Sequence, residues 1–373
     1  MTNFTQAPWQ VQDELIEQPS WGGRYIIDLK GLSDDPQWSG KKVGQSYELA
    51  KASKLIDPDG GGLKSLSELI QADPAGLLGQ KVLDKFGSDL SLLIKLTQAK
   101  GNSFQVHLPE GKTLNHWVPK PEAWFYLAPG LFTFGLKAGT SFEAYSRVLH
   151  TIDDEMGRLS REVQSGRFTV EEARAQAKLR IQSLDPYAYV NLVEAHTDDV
   201  IDLTAGGIHH SWEEDAVRFP DGNLVYEVQV DVPDDRCSMR GFDKGKVLGD
   251  GSLRPTHVAD YLATIEQDPV HNELSQHIRK PIVVTEGATG KVESLFRTAH
   301  FATDRLTVSA GATLPQSLAE GFHHLFVHAG TAAVGGRTLE QGRSYLMPAS
   351  IGEYEIEASG GEAVLLKTYL PIS

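Results

Sequence analysis

Four residues in this chain are of types that suit a divalent metal ion. Gln105 and His107 lie in Ser-Phe-Gln-Val-His, Glu122 in Pro-Lys-Pro-Glu-Ala-Trp, and His209 in Gly-Gly-Ile-His-His. Side chains alternate along a β-strand, so Gln105 and His107 point to one side, as do Lys120 and Glu122. Imidazole nitrogens combined with carboxylate and amide oxygens suit Zn²⁺ or another borderline divalent ion. We therefore predict a metal site formed by Gln105, His107, Glu122 and His209.

The order of these motifs resembles that of a known enzyme family. Gln-Val-His is followed by Lys-x-Glu-x-Trp, then by Gly-x-x-His and Tyr-Glu-Val-Gln, which resembles the type I mannose-6-phosphate isomerases, zinc enzymes of the cupin superfamily. Residues 21–23, 44–49 and 254–257 are similar to further family segments in the same order. The resemblance implies one zinc ion per chain and the interconversion of mannose 6-phosphate and fructose 6-phosphate.

The resemblance also implies roles for residues outside the predicted metal site. Glu227, in Tyr-Glu-Val-Gln, is expected to assist proton transfer or to orient a neighbour. Arg240, in Ser-Met-Arg-Gly-Phe-Asp, is expected beside the reacting carbons, with Arg236 as the competing assignment. Lys120 is expected to act in catalysis and, together with Ser103, to contact the substrate phosphate.

Four positions depart from the family pattern and bear on the substrate. Leu108 stands in place of a proline, Pro121 in place of a threonine, and Gln45 in place of a glutamate. His210 replaces the small residue that follows the predicted metal-binding histidine. In an extended segment His210 would point away from His209, so it either has no effect, narrows the pocket or supplies a group for proton transfer.

Aldose–ketose isomerisation explains why such a site would hold zinc. A proton must leave the carbon next to a carbonyl, and the resulting enediolate carries negative charge on oxygen. Zinc held by neutral and carboxylate ligands acts as a Lewis acid on the sugar oxygens and stabilises that charge. The alternatives are an isomerase for another aldose or ketose, a non-catalytic sugar-binding cupin that keeps its metal, and an oxygen-using cupin. Cupins of the last kind usually have more histidines and bind iron.

Composition narrows the classes of partner and the compartment. The 373 residues carry a net charge of −15, so the chain lacks the broad positive field that binds nucleic acid and is repelled by anionic membranes. No stretch approaches the roughly 20 consecutive apolar residues of a spanning helix. The polar, acidic N-terminus lacks the features of a signal peptide, and Cys237 is the single cysteine. We expect a cytoplasmic protein with a small-molecule phosphosugar substrate, no nucleic-acid partner and no membrane association.

Periodicity divides the chain into β-rich parts and one helical part. Short strand-like runs separated by Gly, Pro and Asp fill residues 1–140, apart from a helical candidate at 63–70. Apolar residues at three- and four-residue spacing then predict a helix, and Thr169 with Glu172 predicts a capping box that starts a second. Residues 141–186 are predicted to be a helical hairpin that either covers one end of a sheet or acts as a substrate lid. Strands with tight turns resume afterwards.

These elements predict a mainly β fold of two cupin-type jelly-roll β-sandwich units with an inserted α-helical hairpin. Residues 1–140 and 187–265 would form an N-terminal catalytic unit, and residues 266–373 a C-terminal unit. The C-terminal unit has its own histidines, at positions 323, 324 and 328. No carboxylate follows them at a strand-compatible position, so we expect surface or packing histidines there rather than a second metal.

Overall fold

The computed structural model describes residues 7–372. Residues 1–6, which belong to the segment considered above as a signal peptide, and Ser373 lie outside the described residues. Short strands fill the first part of the chain, in this order: β1 (Trp9–Val11), β2 (Glu14–Glu17), β3 (Val43–Leu49), β4 (Lys54–Ile56), β5 (Leu63–Ser65), β6 (Leu92–Ala99), β7 (Phe104–Val106), β8 (Glu122–Tyr126) and β9 (Gly130–Leu136).

Helices are short except for two that follow one another after β9. In chain order they are α1 (Tyr25–Leu29), α2 (Leu66–Ala72), α3 (Pro74–Leu78), α4 (Gln80–Phe86), α5 (Phe142–Gln164), α6 (Val170–Leu184), α7 (Asp234–Cys237), α8 (Val258–Thr264) and α9 (Leu274–His277). Single 3₁₀ turns occur at Pro36–Trp38, Pro186–Tyr189 and Ala349–Ile351. None of the described helices combines the length and apolar character that crossing a membrane requires.

Strands resume after the two long helices and continue to the end of the chain. They are β10 (Val190–Ala195), β11 (Val200–Asp202), β12 (His210–Trp212), β13 (Asn223–Val230), β14 (Met239–Phe242), β15 (Ile278–Arg279), β16 (Ile282–Gly287), β17 (Gly290–Arg297), β18 (Ala302–Val308), β19 (Thr313–Ser317), β20 (His323–Ala329), β21 (Ala332–Val334), β22 (Arg337–Leu339), β23 (Ser344–Met347), β24 (Glu353–Ala358) and β25 (Ala363–Tyr369).

The strands form four antiparallel sheets that stack as layers. A five-stranded sheet has the order β10-β9-β12-β7-β14, and a seven-stranded sheet has the order β15-β11-β8-β13-β6-β3-β2. A nine-stranded sheet follows, β16-β17-β18-β25-β20-β23-β1-β4-β5, and then a four-stranded sheet, β19-β24-β21-β22. One apolar core joins the nine- and four-stranded sheets, and another joins the nine- and seven-stranded sheets. The predicted mainly β fold is confirmed.

The seven-stranded sheet is buried on both faces, and its sequence reflects this. Leu92, Ile94 and Leu96 of β6 belong to the core shared with the nine-stranded sheet. The residues between them, including Lys95 and Thr97, are also buried but face the five-stranded sheet. One face of this central layer is therefore apolar and the other carries buried charge.

The sheets do not follow the division of the chain into units at residues 140, 187 and 265. Strands β1, β4 and β5, from the first 65 residues, complete the nine-stranded sheet that is otherwise formed by strands after residue 281. This strand pairing ties the two halves of the chain together. The division into units remains a prediction.

The two long helices pack on the outer face of the five-stranded sheet. Tyr145, Leu149 and Met156 of α5 share a core with Phe104 of β7 and Phe242 of β14. The predicted capping box is confirmed: Thr169 accepts from the backbone N–H of Glu172, whose carboxylate accepts from the backbone N–H of Thr169. This position fits the first of the two predicted roles of the helical hairpin, which is to cover part of a sheet. Neither helix contributes to the walls of the cavity described next.

Candidate metal centre

The seven- and five-stranded sheets enclose a cavity of about 970 Å³. Strands β3, β6, β8 and β13 supply one wall, and β7, β12 and β14 supply the opposite wall. Most of the lining side chains are polar or charged, and several of them are buried, among them Lys95, Glu122 and Glu227. Buried charges are costly unless they are paired or bind a ligand, so this cavity is the candidate functional site.

His107 converges with Glu122 and His210, and the latter two line this cavity. All three are buried, and their ligand atoms lie within 4.8 Å of one another. Nε2 of His107 lies 3.6 Å from Oε2 of Glu122, and Nε2 of His210 lies 3.9 Å from Oε1. Two imidazoles and one carboxylate are a common set of protein ligands for zinc.

The hydrogen bonds of both histidines leave Nε2 available to a metal ion. Nδ1 of His107 donates to the carbonyl oxygen of Cys237 at 2.8 Å, and Nδ1 of His210 donates to that of Ile208 at 3.1 Å. Neither buried Nε2 has a hydrogen-bond partner among the described residues. Burial, with repulsion from His107, lowers the pKa of His210 to about 3, so its ring is neutral. A neutral ring oriented by a carbonyl oxygen fits a metal ligand.

Gln105 lies next to these residues in the sheet. It is paired directly with His210 on one side and with Arg240 on the other, so the three side chains lie on the cavity face of the five-stranded sheet. Its amide nitrogen donates to the Ser103 hydroxyl at 2.9 Å. The amide oxygen of Gln105 is therefore a candidate fourth ligand.

The prediction that His209 joins this group is wrong, because His209 points to the other side of the sheet. Its Nε2 lies 2.7 Å from the hydroxyl of Thr133, and its Nδ1 lies 2.7 Å from that of Tyr261. Successive residues of a strand face opposite sides, so only one of two adjacent histidines can face the cavity. His210 takes the place that we assigned to His209.

Lys120 and Glu122 form a buried ion pair within the cavity wall. The ammonium nitrogen lies 2.6 Å from Oε2 of Glu122. Burial alone would lower the pKa of Lys120, but the charge of Glu122 outweighs burial and raises it. Burial would raise the pKa of Glu122, yet Lys120 and then His107 hold it well below its usual range. Both groups are charged, and the indole of Trp124 donates to the other oxygen of Glu122 at 3.1 Å.

Glu227 also lines the cavity, opposite Trp124 in the register of β13 and β8. Its carboxylate lies 2.9 Å from the ammonium of Lys95 and accepts a hydrogen bond from Thr97 at 2.9 Å. The structure thus brings Glu227 into the same cavity as the candidate metal ligands, with its carboxylate fixed by two partners.

The structure separates the two arginines that compete for the active-site role. Arg240 lines the cavity and pairs with Asp234, and its buried Nε has no hydrogen-bond partner among the described residues. Arg236 is exposed and donates to the carbonyl oxygen of His116 at 3.2 Å. Geometry favours Arg240.

Ser103 does not fit its predicted role. It is fully buried, accepts the hydrogen bond from Gln105, and is absent from the cavity wall formed by the described residues. A hydroxyl in this position orients Gln105, and the structure does not place it against the cavity. The structure therefore gives no support to a phosphate contact for Ser103, which remains a prediction.

Two cations of the cavity wall were not predicted as site residues, although Arg254 belongs to one of the segments similar to the family. Lys246 and Arg254 both line the cavity, and Lys246 has no ion-pair partner among the residues that the structure describes. Burial, together with repulsion from Arg254, lowers the pKa of Lys246. Arg254 is paired with Asp243. The sequence carried no local motif for Lys246, which reaches the cavity from the loop after β14.

The histidines of the C-terminal strands lie in the interior. His323 contacts the hydroxyl of Tyr354 at 2.8 Å, and His324 contacts the carbonyl oxygen of Glu48 at 3.2 Å. They act as packing residues within the stacked sheets, which is one of the two roles that we expected.

No protein-family model and no curated protein matches the sequence, whereas solved structures match the fold. The mannose 6-phosphate isomerase of Bacillus subtilis superposes with a TM-score of 0.69 over 97% of this chain and 99% of its own, at 16% identity. A zinc-bound mannose 6-phosphate isomerase gives a TM-score of 0.68 at 16% identity, and a variant phosphomannose isomerase of Salmonella typhimurium gives 0.68 at 15%. Each of these two covers 98% of this chain and 99% of its own. The chain therefore has the fold of the mannose 6-phosphate isomerases over nearly its whole length.

Proposed function

We propose that this protein is a zinc-dependent aldose–ketose isomerase that interconverts mannose 6-phosphate and fructose 6-phosphate in the cytoplasm. The observation that carries the proposal is the convergence of His107 with Glu122 and His210, two residues that line a polar cavity. The likeness in fold to zinc-bound mannose 6-phosphate isomerases supports it.

His107, Glu122 and His210 would hold the zinc, with Gln105 as a candidate fourth ligand. When bound, zinc supplies a Lewis acid that polarises the sugar oxygens and favours loss of the proton from the neighbouring carbon. The neutral ring of His210 and the charged carboxylate of Glu122 fit this role, because a metal ligand must be deprotonated.

Proton transfer is assigned to Glu227. Its carboxylate faces the cavity and is held by Lys95 and Thr97, so its position is fixed before substrate enters. In this role it takes the proton from one sugar carbon and returns it to the next. Arg240, on the opposite wall, places a permanent positive charge near the oxygens that become negative.

Recognition of the phosphate is divided among the cations of the cavity. Lys120 already shares its charge with Glu122, so its strongest contribution is to hold that carboxylate and to face the sugar. Lys246 lacks such a partner among the described residues and offers a more available charge to a phosphate. We assign the phosphate contact to Lys246 first and to Lys120 second.

Metal analysis combined with an isomerase assay tests the proposal. We expect about one zinc per chain, and conversion of mannose 6-phosphate to fructose 6-phosphate that a chelator abolishes and added zinc restores. Glucose 6-phosphate, ribose 5-phosphate and unphosphorylated mannose are the comparison substrates. Turnover of another sugar only would leave an isomerase with a different substrate. Bound zinc with no turnover on any of them would favour the sugar-binding alternative and contradict the proposal.

A further inference from the structure

A continuous chain of buried and partly buried polar side chains lies on the face of the five-stranded sheet opposite the cavity. Tyr145 contacts Tyr261 at 2.9 Å, and Tyr261 contacts Nδ1 of His209 at 2.7 Å. Nε2 of His209 contacts the Thr133 hydroxyl at 2.7 Å, and Thr133 contacts Ser211 at 2.5 Å. Ser211 then donates to Glu213 at 2.6 Å, and Lys244 donates to the other oxygen of Glu213 at 2.6 Å. We call these seven side chains the outer network.

The carboxylate of Glu213 sets the direction of every hydrogen bond in the outer network. A carboxylate only accepts, so Ser211 donates to Glu213 and must accept from Thr133. Thr133 has then used its one proton, so it accepts from Nε2 of His209. The proton of His209 therefore lies on Nε2, and its Nδ1 accepts from Tyr261. His210, which donates from Nδ1 to Ile208, has the opposite tautomer.

Two adjacent histidines create an ambiguity that the strand alone does not resolve. A shift of one residue in β12 would turn His209 into the cavity and His210 outward, with an imidazole at the metal site in either case. The outer network is satisfied only when His209 faces outward. In the shifted arrangement Tyr261 and Thr133 would lose their shared partner in a buried region, which is costly.

We propose that Tyr261 and Thr133 are positioning residues that hold His209 outward and so fix His210 as the metal ligand. The inference rests on the metal site of the proposed function. It adds a reason why His210 occupies that site, and this reason lies on the face of the sheet opposite the cavity. Removal of either hydroxyl is expected to weaken metal binding although neither residue contacts the cavity.

Zinc titration against a chromophoric chelator tests this role in the full-length, metal-free protein. We expect Tyr261→Phe and Thr133→Val each to raise the zinc dissociation constant about 10- to 100-fold, as loss of the partners that orient metal ligands does elsewhere. Thr133→Ser keeps the hydroxyl and should restore binding to near the wild-type value. The matched control is Tyr354→Phe, which removes a buried tyrosine–histidine hydrogen bond of 2.8 Å to His323, outside the two sheets that enclose the cavity. Equal zinc affinity for Tyr261→Phe, Thr133→Val and Tyr354→Phe would overturn the proposal.

Nitrogen-15 NMR of the imidazole rings gives a second reading that needs neither metal nor substrate. We expect His209 as the Nε2–H tautomer and His210 as the Nδ1–H tautomer, each assigned by its disappearance in His209→Gln or His210→Gln. An Nδ1–H tautomer at His209 would overturn the direction of the hydrogen bonds in the outer network.

Zinc binding without isomerase activity would contradict the proposed function and leave this inference standing. Isomerase activity together with unchanged zinc affinity in Tyr261→Phe and Thr133→Val would overturn this inference and leave the proposed function standing.

Discussion

The ammonium of Lys120 lies 2.6 Å from Oε2 of Glu122, and both side chains are buried in the cavity wall. The two residues are separated by Pro121 on one extended stretch, so their side chains point the same way. Lys120 thus pairs with a carboxylate that is also a candidate metal ligand. The positive charge of Lys120 is therefore balanced by Glu122 and is less available to a substrate phosphate.

Replacement of Lys120 is therefore expected to affect turnover more than phosphate recognition. We expect Lys120→Met to lower kcat at least about 100-fold, the scale of a lost proton-transfer or positioning group, with zinc retained. Steady-state kinetics with mannose 6-phosphate and metal analysis of the same sample are the measurements. A rise in KM alone, confined to phosphorylated sugars, would return the phosphate role to Lys120.

Lys246 is the predicted phosphate contact. Lys246→Met should raise KM for mannose 6-phosphate about 10- to 100-fold, equivalent to one lost charge-assisted hydrogen bond, with kcat largely unchanged. Lys51→Met is a suitable control, because Lys51 also lines the cavity but is exposed and paired with Asp89. Equal KM values for the two variants would exclude Lys246 from phosphate binding.

His210 rather than His209 should bind the metal. We expect His210→Ala to reduce zinc from about one per chain to a small fraction under dialysis, because it removes one of three convergent ligands. His116→Ala removes an exposed histidine and should keep its zinc. Elemental analysis of both variants decides the matter, and full zinc content in His210→Ala would contradict the assignment.

Arg240 and Arg236 give a direct test of the active-site arginine. Because Arg240 lines the cavity while Arg236 is exposed, Arg240→Ala should lower kcat about 100-fold or more with zinc retained, the scale of one lost electrostatic donor. Arg236→Ala should retain near wild-type rates. The reverse pattern in initial-rate measurements would show that Arg236 carries the role.

Glu227 and Lys95 form a buried ion pair whose loss should affect stability as well as rate. Glu227→Gln leaves the Lys95 ammonium without its counter-charge, which is expected to lower the free energy of unfolding by about 3–5 kcal/mol. The double variant Glu227→Gln, Lys95→Met should recover much of that stability, because no uncompensated charge remains. Denaturant unfolding measures both.

The catalytic role of Glu227 can be separated from this structural effect. If Glu227 transfers the proton, the stable double variant remains inactive in the isomerase assay. Recovery of activity together with stability would show that Glu227 serves the fold alone.

Local sequence spacing determined several features of this protein without help from the rest of the chain. The two-residue period placed Lys120 beside Glu122, and the Thr169–Glu172 spacing predicted the capping box that the structure contains. The alternation of strands and turns also predicted a mainly β fold. These features depend on contacts between residues only a few positions apart, which the sequence specifies directly.

Tertiary structure alone decided which of several candidate side chains reach the cavity. Strand β12 has three residues, too few for its own pattern to choose between His209 and His210, and its register comes from pairing with β7 and β9. Ser103 faces Gln105 rather than a ligand, and Lys246 enters from a loop without a motif. Such choices depend on hydrogen bonds and packing between distant segments, and a change of one residue in register reverses the face that each side chain occupies.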